Sequence, residues 1–178
     1  MPSVTDSARP SGQTSTSLAV KSVSAADVAA CSVTLTGPVS VTLYAATSAA
    51  DTDFTAKLVD VWPDGRALSV TDGIVRARYR RGNGLADPIT PGRVYEYTID
   101  LIATSQVFKA GHRLRVDVAS SNFPCFDRNP GNGAPAATAT AADFVVAEQT
   151  IRHDAEHHSY ITLPVIPRSG PEPAEEAR

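Results

Sequence analysis

What most constrains this chain is a period of two that recurs and stops again within a few residues. Val39, Val41 and Leu43 alternate with Ser40, Thr42 and Tyr44. Tyr95, Tyr97, Ile99 and Leu101 alternate with Glu96, Thr98 and Asp100, and Leu114, Val116 and Val118 with Arg113, Arg115 and Asp117. Successive side chains of a strand point to opposite faces, so each run specifies a strand with one face for a core and one for water. Turn residues separate the runs: Gly37 with Pro38, then Pro63, Asp64 and Gly65, then Lys109, Ala110, Gly111 and His112. Proline presets a turn's backbone angle and glycine tolerates positive φ. No strong amphipathic helix and no internal repeat interrupts the pattern, which predicts an all-β sandwich.

Three more strands are expected, over 54–62, 74–80 and 160–166. In the second, Val75, Ala77 and Tyr79 alternate with Arg76, Arg78 and Arg80, and the arginines are expected to face Glu96, Thr98 and Asp100 across a strand pair. Residues 124–142, rich in Gly, Pro, Ala and Thr, predict a surface loop. The ends lack either period. Residues 1–30 are expected to be a flexible tail, and RSGPEPAEEAR at 168–178 a disordered one, because neither buries enough area to offset its ordering entropy. That leaves 31–167 as the folded domain.

Charge and hydropathy restrict the partners. A net charge of -3 offers no positive field to a phosphate backbone, so no nucleic-acid partner is expected. No apolar run approaches the roughly 20 residues that cross a bilayer, so a soluble chain with no membrane partner is expected. Residues 1–20 lack a basic start followed by an apolar block, which makes a cytoplasmic location the expectation. Cys31 and Cys125 have no metal-ligand spacing and read as two reduced thiols, with their proximity open.

More specific signals come from longer runs: DTDFTAKLVDVWPDGRA at 51–67, TDGIVRARYR at 71–80, VYEYTIDL at 94–101, FKAGHRLRVDVASSNFPCFDRNP at 108–130 and AEQTIRHDAEHHSYITLPVIP at 147–167. In unbroken order from Thr36 to Pro167, the chain resembles the C-terminal domain of the X-Pro dipeptidyl-peptidase and cocaine-esterase-like (CocE/NonD) serine hydrolases. The resemblance implies a jelly-roll β-sandwich of the galactose-binding-like type, packed in that family on an α/β-hydrolase domain and a helical cap. It implies an accessory role, supporting that domain and helping to close its active-site cleft. The family's nucleophile sits in a G-x-S-x-G elbow of the preceding domain, a motif found nowhere in these 178 residues. Hence no catalytic residue, cofactor or metal ligand is carried over, and the chain is not expected to be an enzyme on its own. The expected partner is an α/β-hydrolase domain. Self-association is expected without it, through Trp62, Phe123 and Phe126 beside turn signals and through an open sheet edge. The alternatives are a glycan- or small-ligand-binding module and, by family membership, an ester or peptide hydrolase. SVSAADVAACSV, before Gly37, departs from the family's first strand, and His158 stands where the family carries Pro.

Four groups of residues invite a chemical reading. His153 and His157 are four apart, as zinc ligands on a helix would be, with Glu156 and His158 beside them, but the motif is not H-E-x-x-H and leads into a strand. Asp51 and Asp53 suggest paired acids or a calcium site, yet two acids alone are few for a hard cation, and a cap, turn or salt bridge is the better reading. Ser120, Ser121, His112 and Asp117 contain the residue types of a triad with nothing to orient them. Trp62 and Tyr79 suit sugar stacking, against which stands packing on their own sheet or a neighbouring domain.

Overall fold

Burial follows the alternation. The computed structural model describes residues 14–16, 22–28, 31–82 and 84–167, and its strands are β1 (Thr14–Thr16), β2 (Ser22–Asp27), β3 (Val33–Thr47), β4 (Asp53–Val61), β5 (Ala67–Arg76), β6 (Tyr95–Phe108), β7 (Arg113–Ala119), β8 (Glu148–Arg152), β9 (Tyr160–Thr162) and β10 (Val165–Ile166). Val39, Val41 and Leu43 of β3 and Tyr97, Ile99 and Leu101 of β6 are buried. So are Val116 and Val118 of β7, whereas Leu114 near its start is only half-buried against the same core.

These strands make two antiparallel sheets that close on one core, an all-β sandwich. In the first, β3 is central: one edge pairs with β6 from Val33 opposite Phe108 to Ala45 opposite Tyr95, and the other edge is shared by β8, β9 and β10. β1 lies outside β8. The second sheet runs β2-β7-β4-β5. Phe54 of β4 meets Tyr97 of β6 across the sandwich with ring centroids 4.8 Å apart. Burying a side chain of that size is worth about 1.5–3 kcal/mol, so these inward rows dominate stability.

β4 is buried on both faces. Phe54, Ala56 and Leu58 enter the core, while Asp53, Thr55, Val59 and Val61 lie under cover on the opposite side. The hairpin from β4 to β5 turns at Pro63, Asp64 and Gly65 as expected: Gly65 has φ 88° and its N–H donates to Trp62 O at 3.0 Å.

Where β5 and β6 meet, the edges of the two sheets almost touch. A Cβ on Gly73 would lie 1.9 Å from the Asp100 carbonyl oxygen, so only glycine fits, and the Thr71 hydroxyl donates to the next carbonyl, that of Leu101. Ile102 just beyond takes a φ of 64°, unfavourable for a β-branched residue and held by its N–H donating to Asp100 Oδ1 at 2.8 Å.

The structure departs from the sequence expectations in four places. The strand expected over 74–80 stops at Arg76, and Ala77–Tyr79 forms a 3-10 turn. The cause is local: the Ala77 N–H turns to Thr52 O at 2.9 Å and the Arg78 N–H to Asp51 Oδ1 at 3.1 Å, so both leave the ladder. The arginines therefore do not pair with Glu96, Thr98 and Asp100, although Arg80 lies over the Tyr95 ring at the start of β6, 4.4 Å from its centroid. Arg76 pairs with Asp53, Arg78 with Asp51 and Arg80 with Asp87, while Glu96 accepts from the Tyr44 hydroxyl at 2.7 Å. The strand expected over 160–166 is two, β9 and β10, because Pro164 has no N–H to pair and offers only its carbonyl, which accepts from Thr36 N at 3.0 Å. Finally, β1 and β2 lie inside the segment 1–30 expected as a tail. β2 pairs with β7 from Ser22 opposite Val118 to Asp27 opposite Arg113 through its backbone, which needs no alternating side chains. The remainder of that segment's expectation, and the one for 168–178, fall outside the described residues.

Candidate functional site

Asp51 and Asp53 frame the turn from β3 into β4, each about 1% exposed. Arg76 holds Asp53 with both arms, Nε to Oδ1 at 2.8 Å and Nη2 to Oδ2 at 3.0 Å. Arg78 Nε lies 3.1 Å from Asp51 Oδ2. Asn129 joins the two acids, its Nδ2 donating to Asp51 Oδ2 at 3.0 Å and to Asp53 Oδ1 at 2.8 Å. A buried carboxylate persists only when paired and hydrogen-bonded, and both conditions are met here. The hydrogen bond to Asp53 also pushes the Arg76 guanidinium up from its ordinary value. With their oxygens engaged by two guanidiniums and an amide, the acids are a structural ion-pair cluster; the salt-bridge reading is the one that fits.

That cluster fastens the loop between β7 and β8 to the sandwich. Asn129 Oδ1 accepts from Gly131 N at 2.9 Å, Gly131 O accepts from Asp51 N at 3.2 Å, and Arg78 Nη1 donates to Gly133 O at 2.8 Å. Asn122 donates to Asp72 of β5, and Val145 N donates to Pro130 O at 2.9 Å. Thr140 and Asp143 form a reciprocal cap that fixes the loop's last turn and holds the Asp143 carboxyl below its usual range. On this anchored loop a cavity of about 590 Å³ opens between Phe123 and Phe144. Arg128 stands in it, its guanidinium 5.3 Å from the Phe123 centroid and 5.1 Å from that of Phe144. Phe123 is 63% exposed, and Val145 and Val146 after it on the loop are 48% and 66% exposed.

The other sequence candidates do not assemble. His153 and His158 are exposed on either side of a bend, with no helix between them, and His157 pairs with Asp154, Nδ1 to Oδ1 at 2.9 Å, which lowers the Asp154 carboxyl's pKa. Among the described residues, no three His, Cys, Asp or Glu side chains are grouped to hold a metal. His112 is buried with Nδ1 2.8 Å from Asp60 Oδ1, at the end of β7 opposite Ser120 and Ser121. Seven strand residues separate the two ends, roughly 25 Å at the rise of a strand. Trp62 packs on its own neighbourhood, 5.1 Å from the His112 ring and under Arg66 at 5.1 Å, and Arg78 lies over Tyr79 at 5.8 Å. Of the patch expected at Trp62, Phe123 and Phe126, Phe123 is exposed and the other two are half-buried. Cys31 and Cys125 are both exposed and no disulfide joins them. Arg128, Phe144 and Asn129 are the residues that sequence reasoning missed; the FDRNP run contains two of them, but its contacts with Asp51, Asp53 and Phe144 are long-range.

The X-Pro dipeptidyl-peptidase C-terminal non-catalytic domain matches residues 6–162 of this chain. The chain belongs to that family. This non-catalytic domain of a serine hydrolase family is 51% identical over 138 residues to the cocaine esterase of Rhodococcus sp. (strain MB1 Bresler), a match covering 76% of the chain and 24% of the esterase. Its fold is similar to part of an aminopeptidase from a Thaumarchaeota archaeon of marine sediment, with TM-score 0.77 and 33% identity over 83% of this chain and 26% of that one. An α-amino acid ester hydrolase gives TM-score 0.76 and 32% identity, over 82% and 25% respectively. The chain thus spans about a quarter of the length of these relatives. The match beginning at residue 6 takes in β1 and β2, in line with their pairing in the two sheets.

Proposed function

We propose that this non-catalytic domain serves an ester- or X-Pro-peptide-hydrolysing enzyme as the accessory module packed on its α/β-hydrolase domain, supporting that domain and helping to close its cleft, and that it catalyses nothing alone. The observation carrying this reading is the 51% identity to a segment forming 24% of a cocaine esterase. The exposed Phe123, Val145 and Val146, all on the loop between β7 and β8, support it: apolar side chains left in water suit a surface that another domain covers.

The test has two parts. The purified chain is expected to show no turnover of ester or X-Pro substrates and no labelling by a fluorophosphonate; stoichiometric labelling of one serine would overturn the proposal. A family hydrolase domain added in trans is expected to raise the melting temperature, and without it the chain is expected to self-associate and bind a hydrophobic dye. A monomeric, dye-silent chain indifferent to that domain would shift the assignment to an autonomous ligand-binding module.

A further inference from the structure

Arg128 is the charged group of this loop whose position is hardest to explain by the fold alone. Among the described residues it makes no hydrogen bond and no ion pair, only the two ring contacts. A guanidinium has five N–H donors in a planar fork that matches a carboxylate. Here that fork is steadied by phenyl rings on a loop fastened through Asn129, its chain neighbour, to two buried aspartates. Free arginines at a surface are common; this one is exposed, yet it lies against two rings at a cavity next to a buried anchor, so its guanidinium is open to a partner and loses less side-chain freedom on binding than an arginine without such contacts.

We propose that this cavity is the docking pocket for an acidic side chain of the α/β-hydrolase domain, which enters between Phe123 and Phe144 and pairs with Arg128. The proposal rests on the accessory reading above. The walls choose the occupant: besides the two rings they are mostly alanines, which receive the methylene stem of a side chain, and about 590 Å³ admits such a stem with its neighbours. Asp127 lines the same cavity, exposed and without an ion-pair partner among the described residues. A bare anion would meet that like charge, whereas a protein surface carrying an acid beside a basic or amide group answers both signs. Val145 and Val146, which follow the lining residue Phe144 in the chain, are also exposed.

The experiment immobilises the full chain and measures its affinity for the Rhodococcus cocaine esterase from which the matching segment has been deleted. Arg128→Ala is expected to weaken binding at least tenfold, and Arg128→Lys to fall between, since a point charge keeps the sign but loses the fork. Wild-type affinity is expected to drop with added salt, and that of Arg128→Ala to respond less, because one screened charge contact has been removed. Arg66→Ala, at the opposite end of β4, should leave affinity unchanged, and the melting temperature of Arg128→Ala should match the wild type. If the wild-type chain does not bind a fragment whose folding is established by circular dichroism and by fluorophosphonate labelling of its serine, the accessory reading itself falls, and the pocket with it. Binding that Arg128→Ala leaves intact overturns the pocket assignment alone. Butyrate is titrated in parallel: saturable binding lost in Arg128→Ala, with the affinity for the esterase fragment unchanged, overturns the protein occupant in favour of a small carboxylate.

Discussion

Among the described residues Tyr97 is the bulkiest fully buried side chain, and its hydroxyl is buried without a hydrogen-bond partner there. The ring justifies the position by filling the space between Phe54, 4.8 Å away, and Tyr95, 6.5 Å away. The oxygen costs stability, since a hydroxyl removed from water unpaired is worse than no hydroxyl. Burial pushes its pKa from 10.0 up to about 12. A raised folded-state value means that the native protein holds the proton more tightly than the unfolded chain does. The contribution is therefore complete below pH 10 and is lost as pH rises towards about 12, at up to about 1.4 kcal/mol per pH unit. Tyr97→Phe should raise the unfolding free energy at neutral pH by about 1–3 kcal/mol and flatten that alkaline decline. Urea titrations at several pH values check both effects. A decline that persists unchanged in the variant would assign the titration to another group.

At the scale of elements, the seam between β5 and β6 holds the closest approach made by any of the described glycines. The atoms that a Cβ on Gly73 would meet are backbone: Asp100 O at 1.9 Å, Asp100 C at 2.8 Å and Leu101 Cα at 3.2 Å. Backbone cannot rotate aside as a side chain can. Gly73→Ala should therefore cost about 1–3 kcal/mol or more by overpacking, with faster amide exchange along β5 and β6, measured by urea midpoint and hydrogen exchange. A loss of only a few tenths would show that the two sheet edges separate without penalty. Elements of this kind are unevenly legible in the sequence. The alternation at 39–43 and 95–101 is plain because β3 and β6 each bury one face, so a register slip would turn every apolar side chain outward. It misleads at Ala77, where the period of two continues past the point at which Asp51 and Thr52 draw the backbone out of the sheet. β2 is hidden for the opposite reason, because its pairing is made by the main chain of a Ser- and Ala-rich segment. The docking loop is legible only as a loop, since the contacts that shape it join Asn129 to acids 78 and 76 residues earlier.

Across the whole molecule, the Asp51, Asp53, Arg76, Arg78 and Asn129 cluster couples the stability of the second sheet to the posture of the loop bearing Arg128. Asp53 opens β4, Arg76 closes β5, and Asn129 belongs to the loop, so removing the Asp53 carboxylate loosens all three. Breaking a buried ion pair by deleting one partner costs about 3–5 kcal/mol. Because the Arg76 side chain is 26% exposed and partly rehydrates, Asp53→Ala belongs at the low end, about 3 kcal/mol. A domain with the usual margin of about 5–15 kcal/mol still folds after such a loss. Two consequences can then be separated. Replacing both partners, with Asp53→Leu and Arg76→Leu together, removes the stranded charge and should recover much of the stability, since apolar substitutes for a buried pair are often neutral. It does not restore the bond from Asn129 to Asp53, so amide protection at 129–134 and affinity for the hydrolase domain should stay reduced. Denaturation, hydrogen exchange and binding are measured on the same three proteins. If affinity recovers in step with stability in the double variant, the cluster serves the fold alone; recovery of stability without affinity shows that it also sets the loop for its partner.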